Sequence, residues 1–311
     1  MMNLRTMKTR PFKQVDVFTA TPYLGNPLAV VLDGSGLSDE DMQRFARWTN
    51  LSETTFLLPP TDSAADYRVR IFTPGGELPF AGHPTLGSCH GWLQAGGQPA
   101  SRDFIVQECK LGLVRIRREP GTPRLAFAAP ALKRSAPEPA WLAEVVAALG
   151  ITPAQVVAAQ LLDNGPVWLG LLLDSAETVL QLSPDHAALA KLDAKVGVAA
   201  IYPPLETAPL IARANREAKA FGNSPATSAE ADLEVRAFAA PVGVDEDPVT
   251  GSLNASLAQW LIAEGHMPGR YLASQGVCLG RAGQVHIERD DQGQVWVGGE
   301  SVTCVDGQVL L

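Results

Sequence analysis

Four polar side chains stand where the 311-residue chain is otherwise apolar or rich in small residues: Glu53, His83, Asp247 and Ser252. Glu53 is the lone charge between Asn50 and Leu58. A carboxylate in such company loses hydration, so its pKa rises and it can carry a proton near neutrality. The competing reading is a strand-edge glutamate in solvent. His83 and Asp247 each stand directly before a proline. His83-Pro84-Thr85-Leu86-Gly87-Ser88 and Asp247-Pro248-Val249-Thr250-Gly251-Ser252 share the pattern x-Pro-x-x-Gly-Ser, and each runs on into a small, apolar stretch.

Elements that would position these residues follow from the same stretches. Proline suits the first turn of a helix, where its missing N–H is not needed. The pattern thus predicts two helix N-termini, with His83 and Asp247 at or near the N-caps and Pro84 and Pro248 in the first turns. Such ends expose N–H donors and partial positive charge, suited to a carboxylate or a developing enolate. With histidine neutral, neither 83–97 nor 248–263 contains a charge. Both helices are therefore expected to be buried nearly all round. Arg70-Ile71-Phe72 precedes the first and Arg236-Ala237-Phe238 the second, which suggests two similar halves. His83 and Asp247 could serve only as caps. On the functional reading they supply hydrogen bonds or protons, and Ser252 binds a polar substrate group.

Around these units the chain reads as short strands with interspersed helices. Phe12–Phe18, Leu28–Leu32, Thr54–Leu58, Asp66–Phe72, Phe104–Val106, Gly112–Ile116 and Arg124–Ala128 are strand-like. Ser38 caps a helix whose inner stripe is Met42, Phe45, Ala46 and Thr49, with Asp41 placed for a capping box. The Pro- and Ala-rich stretch 129–139 reads as a linker. Beyond it, Ser183-Pro184 starts another helix, and 197–202 and 232–238 are strands. The tail is a set of strands at 285–287, 295–298 and 301–305, split by Asp-Gln-Gly and Asp-Gly turns. No pattern organises 206–227.

Composition excludes several classes. A formal net charge of −8 and no basic run argue against a nucleic-acid surface. No apolar run is long enough for a membrane span, and the basic residues 1–10, with no apolar run behind them, read as a frayed extension rather than a secretory signal. A cytoplasmic location is the default expectation. The four cysteines form no CxxC pair. Asp245-Glu246-Asp247 has no spaced histidine partner, its first two members reading as solvated loop charges. Thr73-Pro74-Gly75-Gly76 makes no phosphate loop, and no lysine has a pocket-like setting. The expectation is no metal, nucleotide or PLP.

The motifs also carry a resemblance. Asp16-Val17-Phe18-Thr19, Gly25-Asn26-Pro27-Leu28-Ala29-Val30-Val31, Asn50-Leu51-Ser52-Glu53-Thr54-Thr55-Phe56, Phe72-Thr73-Pro74, Glu77–Thr85 and Glu246–Ser252 resemble the PhzF-like family, named for a phenazine-biosynthesis isomerase. That family has the diaminopimelate-epimerase-like fold. The resemblance implies an α+β chain of two similar domains, each a rolled, mostly antiparallel sheet around a central helix, with the active site between them. The domains would cover 11–128 with about 299–311, and 129–298. It also implies a homodimer. Its proton-shuttling glutamate falls on Glu53, and its histidine, aspartate and serine fall on His83, Asp247 and Ser252. Gly82, Thr85, Gly251 and Asn26 lie in the same motifs and are expected to bind substrate.

Related epimerases carry a cysteine at each central helix start. Here those places hold His83 and Asp247, with Cys89 six residues further on, so a two-thiol racemase is disfavoured. The implied activity is a cofactor-independent isomerisation that moves a proton within a small carboxylate-bearing substrate. A PLP-independent amino-acid racemase or epimerase with non-thiol bases, and a ligand-binding protein without turnover, are the alternatives.

Overall fold

A computed structural model of the protein describes residues 7–203 and 231–311. The unorganised stretch 206–227 and residues 1–6 lie outside the described residues. In chain order the strands are β1 (Thr9–Val17), β2 (Asn26–Val31), β3 (Glu53–Leu58), β4 (Tyr67–Phe72), β5 (Glu77–Leu78), β6 (Phe104–Cys109), β7 (Gly112–Arg118), β8 (Leu125–Ala128), β9 (Lys133–Ser135), β10 (Val156–Asp163), β11 (Val167–Leu173), β12 (Val196–Ile201), β13 (Leu233–Ala239), β14 (Val244–Asp247), β15 (Arg270–Gln275), β16 (Gly283–Arg289), β17 (Val295–Gly299) and β18 (Ser301–Leu310). The α-helices are α1 (Asp39–Thr49), α2 (Gly82–Gln94), α3 (Pro139–Ala148), α4 (Ala176–Gln181), α5 (His186–Lys191) and α6 (Gly251–Ala263).

The chain divides into two compact units, Met1–Ala128 with Trp296–Leu311, and Ala129–Val295. In the first unit β1 pairs antiparallel with β18 and β2. Then β2 runs parallel to β3, β3 antiparallel to β4, β4 parallel to β6, and β6, β7, β8 and β17 pair antiparallel in turn. The second unit repeats this order of directions: β10 antiparallel to β9 and β11, β11 parallel to β12, β12 antiparallel to β13, β13 parallel to β15, β15 antiparallel to β16. Both are α+β units with mixed, mostly antiparallel sheets, as expected.

Each unit carries one helix with almost no polar face. Every residue of α2 from Gly82 to Cys89 is buried, and in α6 every residue from Gly251 to Ile262 except Gln259. Close approach makes this possible. A Cβ on Gly87 of α2 would lie 2.6 Å from Leu28 and 2.8 Å from Val17, so β1 and β2 lie directly against the helix there. In the second unit Gly197 of β12 leaves room for Leu253 of α6. Fully burying Leu253, Leu257, Leu261 and Trp260 contributes about 1.5–3 kcal/mol for each leucine, and the indole buries more still.

Several sequence expectations are revised. Thr9 and Arg10 are not frayed; they begin β1 and pair with Leu310 and Val309. The 129–139 stretch is not a bare linker: β9 lies within it and pairs with β10, and Pro139 opens α3. Asp306-Gly307 makes no turn. It lies inside β18, opposite Lys13 and Phe12, and the Lys13 ammonium holds the Asp306 carboxylate at 2.7 Å. Ser183-Pro184 precedes α5 but does not cap it; Asp185 does. The Ser38 capping box of α1 and its buried Met42, Phe45 and Ala46 are as read.

Candidate functional site

Glu53 is the first residue of β3, and the parallel ladder sets it beside Leu28 of β2. Thr54 to Leu57 are buried, which leaves the strand's first residue at the margin. The side chain keeps 15% of its exposure, against 4% for His83. His83 is the second residue of α2, behind Gly82, and Ala81 is the N-cap. Pro84 is therefore in the first turn. Glu53 Oε2 lies 3.5 Å from His83 Nδ1. Complete burial pushes the imidazole pKa down to about 3, so the ring is neutral at physiological pH and the contact is polar rather than an ion pair.

Asn26 completes this cluster. It opens β2 and is fully buried. Its amide nitrogen is 3.4 Å from His83 Nδ1, and its Oδ1 accepts a hydrogen bond from Ser52 Oγ at 3.2 Å. The preceding turn is fixed by Gly25, whose N–H donates to Asp16 Oδ2. A Cβ there would sit 2.2 Å from the Val17 carbonyl oxygen, so glycine is required. Thr85, expected to bind substrate, faces inward instead. Its hydroxyl donates to Ala81 O and accepts from Gln107 Nε2, and Gln107 Oε1 accepts from the Tyr67 hydroxyl. All three side chains are in the core, where a helix N-terminus needs such partners.

The start of the second central helix departs from the sequence reading. Asp247 is not a cap and Pro248 is not in the first turn: Asp247 ends β14, Thr250 is the N-cap, and α6 begins at Gly251. β14 claims Asp247 by pairing it with Ala237, which carries the strand past the point where a helix could start. Its carboxylate accepts a hydrogen bond from Thr250 Oγ1 at 2.6 Å. Ser252, with Gly251 before it, occupies the second helical position. Its hydroxyl accepts from the Trp168 indole at 3.4 Å, and its carbonyl accepts from Asn164 Nδ2. By helix position the counterpart of His83 is Ser252, and the shared x-Pro-x-x-Gly-Ser pattern is out of structural register.

Sequence reading missed the residue that holds the start of α6. Gln275 of β15 is fully buried and makes four hydrogen bonds: its Oε1 accepts from Thr250 N–H and Asn254 Nδ2, and its Nε2 donates to Asp247 O and Thr250 Oγ1. The available signal was the period-two alternation that puts Gln275 on the same buried face of β15 as Tyr271 and Ala273. Glu246 is not solvated; its carboxylate forks with Arg236 at 2.9 and 2.8 Å, both nearly buried.

Among the described residues no three His, Cys, Asp or Glu side chains gather as a metal site, and no helix is long and apolar enough to cross a membrane. Cys89 lies inside α2, fully buried, its thiol pushed up to about 12 by desolvation, and is no acid–base group.

Residues 15–307 match the family model described as Phenazine biosynthesis-like protein. The chain is 35% identical to antisense-enhancing sequence 1 of Schizosaccharomyces pombe, covering 98% of this chain and 100% of that one. It is 32% identical to the trans-2,3-dihydro-3-hydroxyanthranilate isomerase of Pseudomonas aeruginosa, covering 96% and 98%. A Bacillus anthracis phenazine biosynthesis protein of known structure shares the fold, with a TM-score of 0.77 at 22% identity over 98% of this chain and 100% of its own. Isomerase is the enzyme class that these relatives support.

Proposed function

The chain belongs to the phenazine biosynthesis-like family, and from that premise we propose that it is a cofactor-independent isomerase. It moves a proton within a small carboxylate-bearing substrate, with Glu53 as acid and base. One observation carries the reading: a margin carboxylate held against a buried, neutral imidazole. A cation beside Glu53 would hold it ionised and weaken it as a base; a neutral ring does not. Glu53 takes a proton from one carbon and returns it to another on the same face. His83, Asp247 and Ser252 contact the substrate, and the first-turn N–H groups at Gly82 and Gly251 meet its negative charge. The reading includes a homodimer, on family resemblance alone, and a cytoplasmic location without nucleic-acid or membrane partners, on charge and composition.

The test is solvent deuterium uptake across a panel of cyclic and acyclic carboxylates that includes trans-2,3-dihydro-3-hydroxyanthranilate. With a substrate found, Glu53→Gln is expected to lower exchange by roughly 10²–10⁴-fold while leaving binding nearly intact. Near-normal exchange in Glu53→Gln, with loss in Asp247→Asn, would move the base to Asp247 and overturn the assignment.

A further inference from the structure

The two nitrogens of His83 have different surroundings. Nδ1 faces the Asn26 amide nitrogen at 3.4 Å and Glu53 Oε2 at 3.5 Å. Nε2 is enclosed and has no hydrogen-bond partner among the described residues. A neutral ring carries its proton on one nitrogen only, and the hydrogen bond made by the other decides which. Asn26 is held at both ends. Its backbone opens β2 behind the fixed Gly25 turn, and its carbonyl oxygen accepts from Ser52 Oγ. That bond turns the NH2 group toward the ring. An amide N–H aimed at Nδ1 requires a lone pair there.

We propose that Asn26 is a positioning residue that sets His83 in the Nε2–H tautomer, rather than a substrate ligand. This rests on the function proposed above and deepens it. With Nδ1 a lone pair, Glu53 can bond to the ring only in its protonated form, as O–H···N. The ionised carboxylate gains nothing from His83 and keeps its strength as a base. The opposite tautomer would place N–H against the carboxylate, stabilise the anion and blunt it. Nε2–H becomes the ring's donor. Left unpaired in the core it is destabilising, a penalty relieved by an acceptor oxygen such as a substrate carboxylate or carbonyl. Ser52, Asn26 and His83 thus form one relay, in which the serine orients the amide and the amide orients the ring proton.

The experiment reads the tautomer directly, with the full-length protein labelled with 15N-histidine. Two-bond 1H–15N correlations distinguish a protonated from an unprotonated ring nitrogen, and His83→Gln assigns the signals. Wild type is expected to show unprotonated Nδ1 and protonated Nε2. Asn26→Asp, whose carboxylate accepts from Nδ1–H, is expected to invert this pattern, and Asn26→Leu to lose its single tautomer. Ser52→Ala, a smaller change, is expected to introduce the second tautomer with the fold intact. Wild-type protein with Nδ1–H overturns the proposal by itself, as does an unchanged Nε2–H in folded Asn26→Leu. None of these spectra depends on turnover. An Nε2–H ring in an enzyme whose Glu53→Gln form still exchanges protons would sink the function and leave the relay standing. With a substrate in hand, Asn26→Leu is expected to lower kcat by roughly 10²–10⁴-fold, the scale of a misplaced acid–base proton, with a smaller change in KM.

Discussion

In the first unit the chain is already helical at His83 and Pro84; in the second it passes Asp247 and Pro248 before α6 begins. Behind both helix starts the same parts recur. Arg70 of β4 forks to Glu77 of β5 and lies over Phe72 at 5.0 Å; Arg236 of β13 forks to Glu246 of β14 and lies over Phe238 at 4.9 Å. Gln107 of β6 and Gln275 of β15 each reach the central helix from the strand after it. The difference is how much each part holds. Gln107 bonds one helix hydroxyl and one tyrosine, whereas Gln275 also holds the Thr250 N–H and the Asp247 carbonyl. The duplicated plan therefore lies in the clamps behind the helices. The helix starts themselves have diverged, and of the residues proposed to meet the substrate His83 and Ser252 sit on them.

The clamps give the largest expected contrast. Gln275→Leu strands several buried groups at about 1–3 kcal/mol each, for a loss of roughly 3–6 kcal/mol, while Gln107→Leu should cost roughly 1–3 kcal/mol. Urea unfolding midpoints of the two variants read this difference, and equal losses would mean that the two helix starts are held alike. Next comes the arginine pair. Arg236→Met leaves Glu246 buried and unpaired, at about 3–5 kcal/mol. Arg70→Met leaves Glu77 22% exposed, so a smaller loss is expected. The double variant Arg236→Met/Glu246→Leu should recover much of the single variant's loss; if it does not, desolvation is the wrong explanation.

Acid sharpens the contrast between His83 and Ser252, its counterpart by position, which does not titrate. The folded His83 pKa of about 3 lies below the ordinary 6.5, so the unfolded chain binds the proton first. Stability from this site is complete above pH 6.5 and drains away as pH falls toward 3, by on the order of a few kcal/mol. His83→Gln is expected to flatten thermal stability across that window. His90 is shifted in the same direction by burial, so its share should survive in the variant. A profile as steep as wild type would rule out His83 as the source. The smallest effect concerns the prolines. Pro84→Ala and Pro248→Ala should each change stability by less than about 1 kcal/mol, since neither proline sets where its helix begins. A large loss at Pro248 would restore the sequence pattern as a structural determinant.

What could be read in the sequence was local. Alternation marked most strands of the first unit, and the charge-free runs marked α2 and α6, because one-dimensional spacing alone decides which face is buried. Glu53 and His83 were singled out by their apolar surroundings, and the fold brings them to 3.5 Å. What escaped is made by partners far apart in the chain. β9, with three exposed residues, is a strand only because β10 pairs with it. Glu246 looked solvated because nothing in Val-Asp-Glu-Asp reveals the arginine ten residues back. The start of α6 was misplaced because a proline's tolerance for a first turn was outweighed by the pairing of β14 and the grip of Gln275.

β18 lends a different kind of significance to the order in which the chain is made. The first unit needs Trp296–Leu311, and β1, paired with β2 on one edge, gains its partner on the other edge along Thr9–Val17 only from β18. On a ribosome adding about 5–20 residues per second, the whole of Ala129–Val295 emerges in between. Residues 18–300 separate the two strands, so for roughly fifteen to sixty seconds the nascent β1 presents a bare hydrogen-bonding edge, open to a neighbouring chain on the same polysome. The continuous unit can mature first, and the unit holding Glu53 and His83 is sealed last.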